Sequence, residues 1–327
     1  MIVVTGASGL LGSTIIDALV SNNISVTGLY HQTQPRSKAG VTWQQVDVTD
    51  ILALTEIFNG AECVIHAAAM ISFNQRNREK MFKTNVEGTA NVVTACLQSG
   101  VKRLVHVSSV AALEKKPTDT VIDEKNQWTG TGHSSNYGQT KHLAELEVLR
   151  GEAEGLSIAM VNPSVILSRD NTYRSSGQIL QYINDERPFY TDGSVNYIDA
   201  RDVAEMVFRL SQNLNFKGRF IANTATISWK ILFKEVAERL GKKPPYIKVT
   251  ATLTRWVAAA EWIRCAVLGR EPLVTKETAA LARQNVFYSN EKVIKELGMK
   301  FRSLEETLDW CCKSQKAGAG SQFKTNS

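Results

Sequence analysis

Tyr137 and Lys141 in "NYGQTKHLAE" are four residues apart, so on a helix they lie on one face. A phenol with its ordinary pKa near ~10 is a poor acid and a poorer base at neutral pH. A neighbouring ammonium favours the phenolate and lowers that value. Tyr137 could then give a proton to a carbonyl oxygen or take one from an alcohol. Ser109 closes "VHVSS", a strand whose serines fall at the carboxyl edge of a sheet, where it could hydrogen-bond the same oxygen. Asn85 lies inside the helical stretch "NVEGTAN", a poor place for an asparagine unless its side chain is employed. Gly88, one turn on, lets that helix pack closely. By itself the Tyr137–Lys141 spacing is common, and a pair of solvated side chains is the other reading.

A second set of residues speaks of a phosphate-bearing ligand. "TGASGLLG" places Gly6, Gly9 and Gly12 directly after the first strand and at the start of a helix. Such glycines allow a tight turn, close approach of backbone to a pyrophosphate, and close packing of helix on strand. The helix start adds free N–H groups and the positive end of its dipole. Ser8, Leu10 and Leu11 of the same loop join them as candidate cofactor contacts. An acidic residue after the second strand would mark NAD, yet none occurs between Asp17 and Asp47. His31, Arg36 and Lys38 stand there instead, which favours NADP(H), with NAD(H) as the alternative. Asp47 and Val48 follow the third strand, where Asp47 either reaches the adenine or caps the next turn. A positively charged nicotinamide would add to Lys141 in favouring the phenolate of Tyr137.

These groups need a frame. Strand-like runs "MIVVTG", "ISVTGLY", "VTWQQVD", "AECVIHA", "RLVHVSS" and "SIAMVNP" alternate with helical patterns, among them residues 78–99 and 136–154. This rhythm predicts an α/β fold with a doubly wound parallel sheet. After Pro163 it loosens, and from residue 227 the chain reads as mainly helical, including 252–269 and "KETAALARQ". Ser303 and Glu306 form a capping-box signature. Residues 313–327 carry little apolar content, so disorder is expected there.

Composition bounds the rest. At 327 residues the chain can bury a sizeable core. Its net charge of +6 is spread thinly, which argues against nucleic acid as a partner. Five cysteines without ligand-like spacing argue for a reducing, cytoplasmic setting rather than a disulfide framework or a metal site. No apolar stretch is long enough to span a membrane, and no signal peptide precedes Met1–Val4. His66 and His133 read as structural or loop residues.

Taken in order, "TGASGLLG", "HAAA", "NVEGTAN", "VSS", "YGQTK", "NPS" and "YIDARDVA" resemble the extended short-chain dehydrogenase/reductases over nearly the whole chain. The branch it resembles holds dihydroflavonol-4-reductase-like, hydroxysteroid-dehydrogenase-like and NAD-dependent epimerase/dehydratase proteins. The resemblance implies a Rossmann sheet with a smaller, mainly helical substrate lobe, and an NAD(P)-dependent oxidoreductase. It implies that Tyr137 is the acid/base and that Lys141 binds the nicotinamide ribose and depresses the tyrosine. It further implies that Ser109 polarises the substrate oxygen and Asn85 supports a proton-relay water. Ala67 and Ala68 of "HAAA" and Pro163 of "NPS" complete the expected cofactor contacts. The nucleotide-binding domain is expected over 1–165 and 196–225, with "VNYIDARDVAEM" and "KGRFIAN" returning to its sheet, and the substrate lobe over 166–195 and 226–312. A monomer or homodimer is expected.

Substrate choice is the weakest signal. Met70, Ile71, Phe73, Trp128, Phe189, Tyr190, Trp256 and Trp262 would line an apolar pocket if they converge, although Trp256 and Trp262 fit core packing better. Arg169, Arg174 and Arg187 could clamp a diphosphate or simply be solvated. The leading expectation is a reductase or dehydrogenase acting on a small apolar carbonyl or alcohol. The alternatives are a nucleotide-sugar epimerase and a non-catalytic dinucleotide sensor. A dehydratase is disfavoured, because "SSVAALEKK" offers only Glu114 after the serine.

Overall fold

Strands covered by helices on both sides read as continuous apolar runs. Accordingly β1 (Ile2–Thr5), β4 (Cys63–His66) and β5 (Arg103–Val107) are buried at every position. The computed structural model describes residues 1–72, 74–114, 119–126, 128, 135–169, 176–249 and 285–319, the side chains of 176 and 314–319 excepted. With β2 (Val26–Tyr30), β3 (Val41–Gln45), β6 (Ser157–Pro163) and β10 (Gly218–Ala222) these strands form a seven-stranded sheet in the order β10-β6-β5-β4-β1-β2-β3. All its pairings are parallel. The order reverses between β1 and β4, the crevice where such sheets take ligands. Helices flank the sheet. On α1 (Leu10–Ser21) packs α7 (Ala200–Gln212), while α2 (Ile51–Phe58), α4 (Gly88–Gln98) and α5 (Asn136–Ala153) form another layer. Leu54, Phe58, Val92, Val93 and Val148 of that layer share a core with Val64, Leu104, Ile158 and Met160 of the sheet.

One cation is built into this frame. Arg103 is 1% exposed. Its guanidinium donates to the carbonyls of Leu210 (3.0 Å) and Phe216 and to Ser157 Oγ (3.0 Å). A cation at the last carbonyls of α7 also suits that helix's dipole.

The chain divides into two units. The first comprises Met1–Ser164, Ala200–Asn223 and Ser289–Lys300. The second comprises Val165–Asp199, Thr224–Tyr288 and Phe301–Ser327. The first includes α9 (Glu291–Leu297), in a stretch expected in the other lobe; Arg209 of α7 holds it by donating to Leu297 O at 2.6 Å. In the second, β7 (Val165–Leu167), β9 (Ser194–Asp199) and β11 (Ala225–Ser228) form a three-stranded sheet. β8 (Phe189–Tyr190) pairs with β12 (Ile247–Lys248). Leu180, Ile183, Leu232, Val236, Leu308 and Cys311 build its core from α6 (Ser176–Asn184), α8 (Trp229–Leu240) and α10 (Leu304–Ala319).

Two expectations change. "VNYID" does not return to the large sheet, because β9 pairs with β7 and β11, whereas "KGRFIAN" does return, as β10. The expected disorder from residue 313 is also overturned as far as 319, because α10 continues to Ala319. Extending a helix already nucleated and capped needs only modest propensity, which Lys, Gln and Ala supply. Its start is the predicted box: Ser303 N–H donates to Glu306 Oε2 (2.8 Å) and Glu306 N–H to Ser303 Oγ (3.2 Å). The helices expected over 252–269 and "KETAALARQ" lie outside the described residues.

Candidate active site

At the tip of β1 the backbone must turn within the space of a few atoms. Gly6 adopts φ +66°, and a Cβ there would sit 2.6 Å from the Ala68 backbone. A Cβ on Gly12 would lie 2.1 Å from Gly6 O. Gly9 starts α1 without a side-chain cap and without an acidic residue in the first turn, so the orphan N–H groups remain for an anion. Ser8, Leu10 and Leu11 share this loop; Ala67 N–H donates to Thr5 O, and Ala68 N–H to Thr5 Oγ1. A pyrophosphate fits this cradle by shape and by donor chemistry.

The far end of β2 is less simple. Lys38 pairs with Asp17, and His31 Nε2 lies 3.1 Å from Asp47 Oδ2. Arg36 is the exposed cation left without a recorded partner in this stretch, among the described residues. Asp47 Oδ1 accepts from both Thr49 N and Thr49 Oγ1 (2.9 Å each), which is the turn-capping arrangement. Burial raises the Asp47 carboxyl, but those bonds and the charges of His31 and Lys83 outweigh it, leaving it below its ordinary value. Val48 is buried, and a Cβ on Gly88 would meet its Cγ2 at 2.7 Å, so α4 does pack closely here.

The helix expected over 78–99 is interrupted. α3 (Arg78–Phe82) passes into one π-helical turn, Lys83–Glu87, before α4 begins. Single π turns tend to occur at functional positions. Asn85 lies within it, 1% exposed. Its Oδ1 accepts from Met70 N–H (2.7 Å), and its Nδ2 donates to Met70 O (2.9 Å) and Thr140 Oγ1 (3.0 Å). It thus ties the segment after β4 to the first turns of α5. Beside it His66 bonds Thr5 through Nδ1 (2.7 Å) and Thr89 through Nε2 (3.0 Å), and Thr89 Oγ1 donates to Asn85 O (2.6 Å).

Ser135 caps α5 by accepting from Gly138 N–H at 2.9 Å. Gly138 is what permits the next approach, because a Cβ there would lie 2.6 Å from Ala111 O. That contact brings the half-buried Tyr137 to Ser109, and the two side chains are hydrogen-bonded. Burial raises Tyr137 to about 12, with the Ser109 bond acting the other way. In the protein alone burial penalises the phenolate, and Lys141 donates from its Nζ to the Val107 carbonyl (2.8 Å). Lys141 is 2% exposed, and burial draws its pKa down to about 8 against the pull of Glu145. Pro163 ends β6, opposite Ala222 of β10.

Other expected residues are scattered. Met70 is engaged through its backbone, Ile71 is exposed, and Trp128 stacks on His142 with ring centroids 4.7 Å apart. In the second unit Phe189 and Tyr190 form β8, Arg169 lies over the Trp310 ring, and Arg187 pairs with Asp185. Phe73, His133, Arg174, Trp256 and Trp262 lie outside the described residues. Among the described residues no cluster suits a metal and no helix is long and apolar enough to cross a membrane. Sequence reasoning passed over Gly138, Thr140, Asn162, Glu145 and Arg219. A glycine in the first turn after a cap and a glutamate four residues beyond Lys141 were readable signals; Thr140, Asn162 and Arg219 have none at short range.

Comparison with known proteins agrees with this geometry. A profile of the NAD dependent epimerase/dehydratase family matches residues 2–222. A Synechocystis protein provisionally named dihydroflavonol 4-reductase is 28% identical over 314 residues, covering 93% of this chain and 91% of its own. Cinnamoyl-CoA reductase 2 of Arabidopsis thaliana is 26% identical, with 96% and 92% covered. Among solved structures, that of gox2253 superimposes with a TM-score of 0.82 at 28% identity, covering 97% and 98%. A Bordetella bronchiseptica enzyme crystallised with NAD and UDP shares the fold at 19% identity, with a TM-score of 0.75 over 100% and 98%.

Proposed function

The chain belongs to the NAD-dependent epimerase/dehydratase family and is an NAD(P)-dependent oxidoreductase of the extended short-chain type; from that premise we propose that it is an NADP(H)-dependent reductase or dehydrogenase of a small, apolar carbonyl or alcohol. The Tyr137–Ser109 hydrogen bond carries this reading. A bound nicotinamide supplies or accepts the hydride. Ser109 polarises the substrate oxygen, and Tyr137, kept protonated by burial, gives it a proton in reduction. In the reverse direction Tyr137 takes that proton, its phenolate stabilised by the cationic ring and by Lys141. Lys141 binds the nicotinamide ribose, and Asn85 orders the α5 start against the segment after β4. The apolar substrate rests on the reductase names of the relatives that cover most of this chain. The cytoplasm is the proposed compartment, on the free, buried thiols of Cys63 and Cys96.

For the cofactor, Arg36 supports NADP(H). The His31–Asp47 pair favours a second reading, NAD(H), since it places a carboxylate beside the expected ribose edge. Titration with NADPH and NADH decides: tenfold tighter NADH binding overturns the NADP(H) preference. A panel of apolar ketones, aldehydes and nucleotide sugars, followed by nicotinamide absorbance, tests the reaction. Interconversion of sugar epimers without net cofactor turnover would establish an epimerase instead. The Tyr137→Phe variant should bind cofactor normally and lose at least ~100-fold in turnover, and a fully active variant excludes the acid/base role.

A further inference from the structure

Beneath the Ser109–Tyr137 pair runs a buried polar chain that none of the roles above uses. Glu145 lies on α5 one turn beyond Lys141, with a fully buried side chain. Its Oε1 accepts from Asn162 Nδ2 at 2.6 Å, and its Oε2 from Arg219 Nε at 2.8 Å. The same Asn162 Nδ2 donates to Ser109 O at 3.0 Å. Glu145 is therefore locked by β6 and β10 and cannot turn to solvent. A buried ion pair is weak support for stability, because well-packed apolar residues of similar volume do as well. Its distinctive property is a fixed charge, and here that charge faces Lys141 along one side of α5.

We propose that Glu145, held in place by Arg219 and Asn162, is a positioning residue whose carboxylate keeps Lys141 an ammonium in the buried site. This rests on the reading of Lys141 as the residue that binds the nicotinamide ribose. The groups around Lys141 support it. Tyr137 shares its helix, while His66 on β4 and His106 on β5 are held neutral, far below their ordinary value. Beside Glu145 stand Arg219 and the partly buried His142. Arg78, Glu79, Lys80, Lys83 and Glu87, on the elements packed against α5, are exposed to solvent. Glu145 is thus the one buried carboxylate facing Lys141 among the described residues.

The test uses the full-length protein and the binding of NADPH and of NADH between pH 6.5 and 9.5, followed by nicotinamide fluorescence. The wild type should lose affinity as pH rises through about 8. The Glu145→Gln variant should bind within threefold of wild type at pH 6.5 and lose affinity about one pH unit earlier. Should that variant fail to fold, Glu145→Gln/Arg219→Met removes both charges of the Glu145–Arg219 pair and should show the same displacement. The Lys141→Met variant separates the two ideas. If it abolishes the alkaline loss while Glu145→Gln leaves the midpoint unmoved, the role of Glu145 is wrong. If it leaves binding and its pH dependence intact, the reading of Lys141 itself fails.

Discussion

His66 and His106 stand side by side on β4 and β5, with ring centroids 5.2 Å apart, and both are buried. Burial, with Lys141 nearby, holds His66 down to about 3 and His106 well below its ordinary value. The unfolded chain takes up protons below about pH 6.5 that the native chain refuses. The stability this confers is complete above that pH and is lost as pH falls toward the folded values. The loss reaches up to about 1.4 kcal/mol per pH unit for each ring. Neither His106 ring nitrogen has a hydrogen-bond partner among the described residues. The His106→Leu variant should therefore match or exceed the wild-type urea midpoint at pH 7.5 and show roughly half its decline between pH 6.5 and 5; an equally steep decline refutes the argument. At this scale the sequence was informative wherever spacing is short. Tyr137, Lys141, Ser109, Asn85 and the three glycines each sit at an element end or at a helical repeat. Asn162 and Arg219 were invisible because their bonds to Glu145 span 17 and 74 residues and depend on the pairing of β6 with β10; Glu145, though one turn from Lys141, gave no sign of its burial. The burial that raises Tyr137 was not legible for a similar reason: spacing shows a neighbour, while burial comes from tertiary packing.

Elements followed from local pattern where that pattern determines them alone. The strands of the large sheet were legible through their apolar runs, and α10 through its capping box. That box gives a prediction: Ser303→Ala removes the acceptor for Glu306 N–H and should cost about 1 kcal/mol, read as a lower denaturant midpoint with unchanged cofactor affinity. No change in midpoint would mean that α10 is held by its packed face alone. The π turn at Lys83–Glu87 was not legible, since one extra residue in a helix leaves the apolar repeat almost intact. The segment that holds β9 was assigned to the large sheet, yet it pairs with β7 and β11. Alternation says which face is buried, not against what.

The first unit takes its sheet from distant parts of the chain, because β10, α7 and α9 all lie beyond residue 199. A fragment of residues 1–164 would keep six of the seven strands but leave the β6 edge open. It would also leave Arg103 buried without the Leu210 and Phe216 carbonyls, a cost of several kcal/mol. Such a fragment should be insoluble or lack a cooperative thermal transition by circular dichroism, and a sharp, reversible melt would show the sheet to be self-sufficient.

That dependence has a consequence in time. During synthesis the stretch between Pro163 and Gly218 takes roughly 3–10 s to appear at about 5–20 residues per second. Throughout that interval six finished strands wait beside the ribosome with an unpaired border. A pause in synthesis on this stretch therefore prolongs the exposure of that border, whereas a pause after β10 has emerged does not.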